Sequence, residues 1–395
     1  MKKEKKIRTY GEINEKILAK SVSVMTAEEF KAKVETDGLE KAAEEVDVVT
    51  TGTFGAMCSS GLLLNFGHSD PPIKMQKILL DEIPAFGGLA AVDTYLGATE
   101  MDESLNFFRG GAHVIEDIVR GKPVRLKAHS YGTDCYPRKD IDTWISLKTV
   151  NQAVLLNPRN CYQNYAAATN SSDKIIYTYM GKLLPEFGNV TYSSAGELSP
   201  LLNDPFYRTI GIGTRIFLGG GDGYVFWEGT QFNAKTPRAP NGTPTRPAGA
   251  IAVVGDLKKM SADYLRGLTM HRYGTTLAVG IGIPIPILDL EMAKFCSVRD
   301  ADISTAVFDY SEEKRSRGVV REANYEELKS GELEIKGTKV PTSSLSSMYK
   351  ARQITVELKN RIVNGNFLLQ EPIERFDLEH TMKPLEIRTR EEVLK

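Results

Sequence analysis

Short apolar or β-branched runs that stop at glycine-containing turns recur along this chain, and they limit the folds open to it. Residues 47–51 (DVVTT) lead into GTFGAMCSSG, residues 124–128 (VRLKA) lead towards YGTDCYPRK, and residues 215–218 (RIFL) end at GGGDG. Runs this short, closed by turn formers, suit strands; a helix needs a longer periodic stretch. Residues 174–179, 250–254 and 276–279 are further strand candidates. Helical patterns are fewer. Thr26-Ala-Glu-Glu29 reads as a capping box opening a helix that runs to about Val46 and breaks near Gly38. Residues 104–119, 261–267 and 345–363 are predicted helical. The mixture predicts an α/β or α+β fold, with a mixed sheet, flanking helices and long Gly/Pro-rich loops.

One such loop, NAKTPRAPNGTPTRPAG at 233–249, holds four prolines. Long irregular loops in compact domains are commonly functional or mobile. Beyond about residue 310 the chain becomes more charged. The expected organisation is a core over 1–310, a C-terminal helical arm or subdomain over 311–380, and a tail over 381–395. No internal repeat is visible.

The 395 residues carry a net charge of -1, which gives no long-range field towards nucleic acid or an anionic membrane. The opening MKKEKKIRTY has no apolar stretch behind it and does not read as a secretory signal. The most apolar segment, 277–288, is short and interrupted by Gly280, Gly282, Pro284 and Pro286, so it cannot span a bilayer. Four cysteines without framework spacing imply reduced thiols and a cytoplasmic protein.

Two of those cysteines sit where chemistry is plausible. Cys58 and Cys135 each follow a strand candidate and lie in a glycine-containing turn, where amides and cations can favour a thiolate. For Cys58 the alternative is a small buried residue in a tight turn. For Cys135, flanked by His129, Arg138 and Lys139, the alternative is a solvated loop. Gly52, Gly55 and Gly61 would let a ligand approach the backbone near Cys58. Cys161 lies in the polar segment NPRNCYQNY (157–165), and Cys296 reads as ordinary packing. No CxxC and no Cys/His cluster has zinc or iron–sulfur spacing, so no metal site or resident cofactor is expected and electrons for redox chemistry would come from a partner. In GHSDPPIK (67–74), His68 can serve as acid/base and Asp70 can orient it or hold an ammonium group, although Ser-Asp-Pro-Pro is also strong turn chemistry. In GIGTRIFLGGGDG (211–223), Arg215 can pair with an anion, and the glycines imply close approach to the backbone.

Together GTFGAMCSSG, GHSDPPIKM, YGTDCYPRK, GIGTRIFLGGGDGYV, GDLKKM, VGIGIPIPIL and the GTKVPTSSLSS-containing stretch 324–372 resemble the homocysteine biosynthesis proteins, the L-aspartate semialdehyde sulfurtransferases of methanogens and other anaerobes. Many relatives carry CBS or ferredoxin-like modules after this region, so the resemblance implies a catalytic module whose electrons come from a separate ferredoxin-like iron–sulfur protein. It implies that sulfide or another sulfur donor, L-aspartate semialdehyde and two electrons give L-homocysteine. Cys58 would carry a persulfide or share a trisulfide with Cys135, and His68 would protonate the developing alkoxide. Asp70, Arg159 and Arg215 would hold the substrate's amino-acid end, and a homodimer is compatible with the sequence. Two other readings stay open: an acyl or CoA-type transferase using Cys58 alone, and a non-catalytic persulfide carrier or scaffold.

Overall fold

The computed structural model describes residues 8–104 and 107–393. In chain order its strands begin with β1 (Val24–Thr26), β2 (Val48–Met57), β3 (Gly61–Asn65), β4 (Lys77–Leu80), β5 (Ile83–Phe86), β6 (Asp93–Gly97), β7 (Val124–His129), β8 (Asp140–Ile145) and β9 (Gln152–Asn160). They continue with β10 (Ala167–Thr169), β11 (Ile176–Thr178), β12 (Gly181–Leu183), β13 (Val190–Tyr192), β14 (Arg215–Leu218), β15 (Gly221–Glu228) and β16 (Ile251–Asp256). The last are β17 (Leu265–Met270), β18 (Gly274–Pro286), β19 (Ser304–Asp309), β20 (Val319–Asn324), β21 (Glu332–Ile335) and β22 (Thr338–Ser344). The helices are α1 (Tyr10–Leu18), α2 (Ala27–Asp37), α3 (Leu39–Glu45), α4 (Gly111–Val119), α5 (Pro200–Asn203), α6 (Leu290–Cys296), α7 (Tyr325–Lys329), α8 (Met348–Val363) and α9 (Arg390–Val393).

One large sheet follows the path β1-β2-β18-β14-β15-β16-β9-β3-β6-β5-β4-β7-β8, with β17 hairpinned onto β18. A second sheet runs β20-β19-β10-β13-β22-β21, and β11 and β12 form a separate hairpin. Parallel pairs occur in both sheets, β1 with β2 and β10 with β19, among mainly antiparallel neighbours. The mixed sheets and flanking helices match the expected fold class.

The longest ladder of the large sheet is β2 against β18, the second and third strands from its β1 edge, in register from Met57↔Leu277 to Val48↔Pro286. Residues at every β18 position are buried. Across this pair lies α8, whose Ile354, Leu358 and Ile362 are buried with Val48 and Ala278. The glycines here make the seat for that helix. A Cβ on Gly52 would stand 2.7 Å from the Ala351 carbonyl oxygen, and one on Gly282 2.8 Å from Ile354 Cγ2. The stretch 52–57, read above as a loop that admits a ligand, is thus strand; Gly52 admits α8 and Gly55 admits Ser346 ahead of it.

Other expectations are corrected by pairing between distant segments. Gly219 and Gly220, both at positive φ, are the two central residues of the β14–β15 hairpin; they meet the strand twist rather than an anion. Residues 261–267 are not helical. A seven-residue helix is marginal in water, and Leu265–Met270 instead completes a ladder with Gly274–Val279. The helix expected over 104–119 starts at Gly111; residues 105–106 of that stretch lie outside the described residues. Its N-terminus presses on β6, where a Gly111 Cβ would fall on the Gly97 carbonyl oxygen.

The 233–249 loop has no regular structure but is tied down. Arg238 donates to the carbonyls of Pro205 (3.0 Å) and Gly242 (2.9 Å) and stacks over Phe206. Residues 319–344 supply β20–β22 of the second sheet, so residue 310 falls between two paired strands, β19 and β20. Among the described residues no helix is long and apolar enough to cross a membrane.

Candidate active site

Two strands that never pair with each other are joined by a three-residue turn, and that turn carries Cys58. β2 ends at Met57, paired with β18; β3 begins at Gly61, paired with Leu156 of β9 and Gly97 of β6. Ser60 N–H donates to the Met57 carbonyl (3.1 Å) to close the turn. The two serines fasten it to β9. Ser59 Oγ lies 3.0 Å from Asn157 Oδ1 and 2.9 Å from the Arg159 carbonyl, and Asn157 Nδ2 donates to Ser60 Oγ (2.8 Å). Cys58 itself is half-buried at the wall of a cavity of about 290 Å³. That size is at the lower end of ligand sites, roughly 300–1,000 Å³, and suits a small substrate.

The polar groups facing this cavity are of few kinds. Arg159 is the cation among the described residues of the lining, Tyr162, Tyr165, Tyr179 and Tyr273 supply phenols, and Ser193, Ser194 and Gln231 lie among them. Among the described residues no Asp, Glu or His lines it. Arg159 makes no ion pair among the described residues, and its Nε is buried without a hydrogen-bond partner. An unpaired guanidinium beside a thiol in a small cavity is a ready site for a carboxylate. Burial raises the Tyr162 phenol to about 12, against the opposing pull of Arg159; the Cys58 thiol adds to the rise. Cys161 also reaches the lining but is 4 % exposed, and burial pushes its thiol far up. Cys296 is fully buried, its thiol likewise pushed up by burial, with Sγ donating to the Asn203 carbonyl at 3.5 Å.

The fold gathers Cys135, His68 and Asp70 elsewhere. Cys135 is exposed in the β7–β8 hairpin, 3.5 Å from Thr133 Oγ1. Arg138 of that hairpin donates from Nη2 to the Asp70 carbonyl (2.6 Å) and from Nε to the Pro71 carbonyl (2.9 Å), while the His68 ring stacks on Tyr136 at 5.9 Å. The Arg138 guanidinium, expected beside the Cys135 thiolate, is engaged with backbone carbonyls instead. His129 bonds Asp140 at 2.7 Å.

Strand register shows how far this group lies from Cys58. The register runs His129↔Lys77↔Phe86↔Tyr95↔Leu63, so the hairpin beyond His129 continues past the middle of β3 towards its Asn65↔Asp93 end; the Cys58 end is marked by Gly61↔Gly97. His68 follows Asn65 and Cys58 precedes Gly61, so β3 stands between them. At about 3.4 Å per residue its four steps span roughly 14 Å, and β6, β5 and β4 add lateral distance to Cys135. A disulfide needs Cα atoms about 4.4–6.8 Å apart. Within one copy of this fold the two thiols do not meet.

Of the other sequence candidates, Arg159 shares the cavity with Cys58, and Arg215 lies outside its lining. Arg215 pairs with Asp222 at 2.5 Å and stacks over Phe367 at 4.5 Å. Sequence reasoning missed the tyrosines. Tyr162 and Tyr165 sit in the polar segment noticed around Cys161, but Tyr179 and Tyr273 come from two separate hairpin turns with no shared motif. Among the described residues, no three His, Cys, Asp or Glu side chains are arranged to hold a metal ion.

Comparison with known proteins adds the following. A family model described as "Homocysteine biosynthesis enzyme, sulfur-incorporation" matches residues 22–369. The chain is 55% identical over 378 residues to the L-aspartate semialdehyde sulfurtransferase of Methanosarcina acetivorans, covering 96% of this chain and 74% of that protein. It is 52% identical over 384 residues to the protein of the same name from Methanocaldococcus jannaschii, covering 93% and 73%. An uncharacterized protein of Methanothermobacter thermautotrophicus is 28% identical over 337 residues, covering 82% and 73%. No solved structure matches the chain.

Proposed function

The chain belongs to the homocysteine biosynthesis, sulfur-incorporation enzyme family, and we propose that it converts L-aspartate semialdehyde to L-homocysteine with Cys58 as the sulfur-bearing thiol. The observation that carries this reading is the cavity in which Cys58 faces the unpaired guanidinium of Arg159. Arg159 receives the substrate's α-carboxylate, which presents the aldehyde carbon to sulfur held on Cys58. Proximity of this kind replaces a bimolecular encounter and accounts for much of a rate enhancement.

The balance of the reaction is aldehyde plus hydrogen sulfide, two electrons and two protons, giving thiol plus water. A Cys58 persulfide, formed when sulfide opens a Cys58–Cys135 disulfide or delivered as sulfane sulfur by another donor, attacks the carbonyl carbon; a C–S bond forms and the carbonyl π pair moves to oxygen. Thiolate exchange by Cys135 at the Cys58 sulfur releases the bound sulfur as an α-hydroxythiol and leaves a Cys58–Cys135 disulfide. The α-hydroxythiol loses water, and two electrons and two protons from a ferredoxin-like iron–sulfur protein convert C=S to CH₂–SH. Sulfide then opens the disulfide to regenerate the persulfide. The exchange needs Cys135 from a second copy of the chain or a rearranged hairpin, and its exposure suits it to meet a partner.

The test is anaerobic homocysteine formation from sulfide, L-aspartate semialdehyde and a low-potential reductant. Cys58→Ala should abolish turnover and Cys135→Ala should abolish or severely slow it. Full activity in either variant would overturn the two-thiol chemistry; full activity of Cys135→Ala with Cys58 still required would favour a single-cysteine transferase instead.

A further inference from the structure

When sulfur attacks the aldehyde, charge develops on the carbonyl oxygen and a proton donor must meet it there. The usual donors are absent from the lining, which among the described residues holds no His, Asp or Glu. His68, the acid expected from sequence, stands at the other end of β3. What the cavity does offer is a chain of phenols built from three separate segments. Tyr165 follows β9, Tyr179 occupies the β11–β12 turn, and Tyr310 follows β19. Tyr165 O–H donates to the Tyr179 hydroxyl at 3.1 Å, and the Tyr179 and Tyr310 hydroxyls are 3.1 Å apart. Tyr273, from the β17–β18 turn, packs edge-on against Tyr179 at 6.1 Å and fixes its ring.

Resting on the sulfur-transfer reading above, the geometry points to the Tyr165–Tyr179–Tyr310 chain as the proton donor to the substrate oxygen, with Tyr179 as the group that touches it. Hydrogen-bond accounting supports this assignment. A hydroxyl has one hydrogen and two lone pairs. Tyr165 donates to the Tyr179 oxygen, and either hydroxyl of the Tyr179–Tyr310 pair can donate; in the arrangement in which Tyr310 donates, the Tyr179 oxygen is saturated as an acceptor and its own hydrogen is left for the cavity. A donor that accepts two bonds is polarised by them and donates more strongly. The Arg317 guanidinium lies 4.1 Å over the Tyr310 ring with Nε buried and unpartnered, and its charge eases the passing loss of a proton that burial opposes. Burial raises the Tyr165 and Tyr310 phenols well above the ordinary range, so both stay protonated and able to donate at neutral pH.

The proton count closes. The C–S bond forms, the carbonyl oxygen takes the Tyr179 proton, and Tyr310 passes its proton to Tyr179 and regains one from solvent, so no charge is stored on the buried phenol. No electrons enter in this step.

The experiment compares Tyr179→Phe and Tyr310→Phe with wild type in the homocysteine assay, alongside mass-spectrometric loading of sulfur on Cys58. General-acid contributions are about 10²–10⁴-fold. The expected result is a kcat about 10²-fold lower for Tyr179→Phe and about tenfold lower for Tyr310→Phe, KM changed by less than about twofold, and unchanged loading of Cys58. An active wild type with either variant's kcat intact would overturn the relay alone. Loss of Cys58 loading together with turnover would assign these tyrosines a structural role and overturn it as well. A wild type that makes no homocysteine would overturn the sulfur-transfer reading, and the relay with it.

Discussion

Replacing Arg159 with Gln separates carboxylate recognition from every other role in the cavity. Arg159 has no carboxylate partner among the described residues, so its loss orphans no charge in the free protein. The folding change should therefore be small, about 0.5 kcal/mol or less. The cost should fall on the substrate. A hydrogen bond to a charged group contributes about 1.5–3 kcal/mol, and losing a two-pronged pair in this open-mouthed cavity amounts to about 3–4 kcal/mol. At 1.4 kcal/mol per tenfold, kcat/KM for L-aspartate semialdehyde should fall about 10²–10³-fold. Arg159→Lys keeps a charge without the planar fork and should fall about tenfold. The informative assay runs both variants against 3-aminopropanal, which keeps the amine and aldehyde but has no α-carboxylate. With that aldehyde wild type and Arg159→Gln should react at equal rates. An equal loss for both aldehydes would refute carboxylate recognition by Arg159, and so would no loss for either.

Three further outcomes follow from the packing. Gly52→Ala places a methyl group 2.7 Å from the Ala351 carbonyl and 3.1 Å from Thr355 Cγ2; overpacking of this kind costs about 1–3 kcal/mol, and an unchanged Tm would contradict the seating of α8 on β2. Burial raises the Cys161 and Cys296 thiols, so iodoacetamide at pH 8 should label Cys58 and Cys135 only, and moving to pH 9 should not recruit the other two, since both remain below their raised pKa. Mild diamide oxidation should give a Cys58–Cys135 linked peptide in cross-linked dimers on non-reducing gels; the same peptide in monomer would show that the β7–β8 hairpin travels the length of β3.

The parts of the site that were legible in the sequence are those carried by one contiguous segment. The strand before Cys58, the turn that holds it and the polar character of 157–165 all follow from local pattern. That Cys58 and Arg159 share a cavity was not legible, because β2 and β9 are brought together through β3, whose register depends on long-range pairing. The same non-local pairing places Cys135 with His68 and Asp70 rather than with Cys58. Glycine was the main source of misreading. Gly52 and Gly55 have the spacing of a ligand loop, yet both lie in strand, where Gly52 makes room for α8 and a Cβ on Gly55 would meet Ser346 Oγ at 2.8 Å. Tyr179 and Tyr310 left no trace in any motif, and nothing local tied them to Tyr165 of the 157–165 segment, since the junction of the two sheets and the β11–β12 hairpin alone unites them.

The account stands or falls on where sulfur is carried. After mild diamide oxidation to the Cys58–Cys135 disulfide and anaerobic treatment with sulfide, mass spectrometry of the intact protein and its peptides should show one added sulfur atom on Cys58, discharged by L-aspartate semialdehyde and reductant with an equal amount of homocysteine formed. Sulfur found only on Cys135, or sulfur on Cys58 that the aldehyde does not remove, would contradict it.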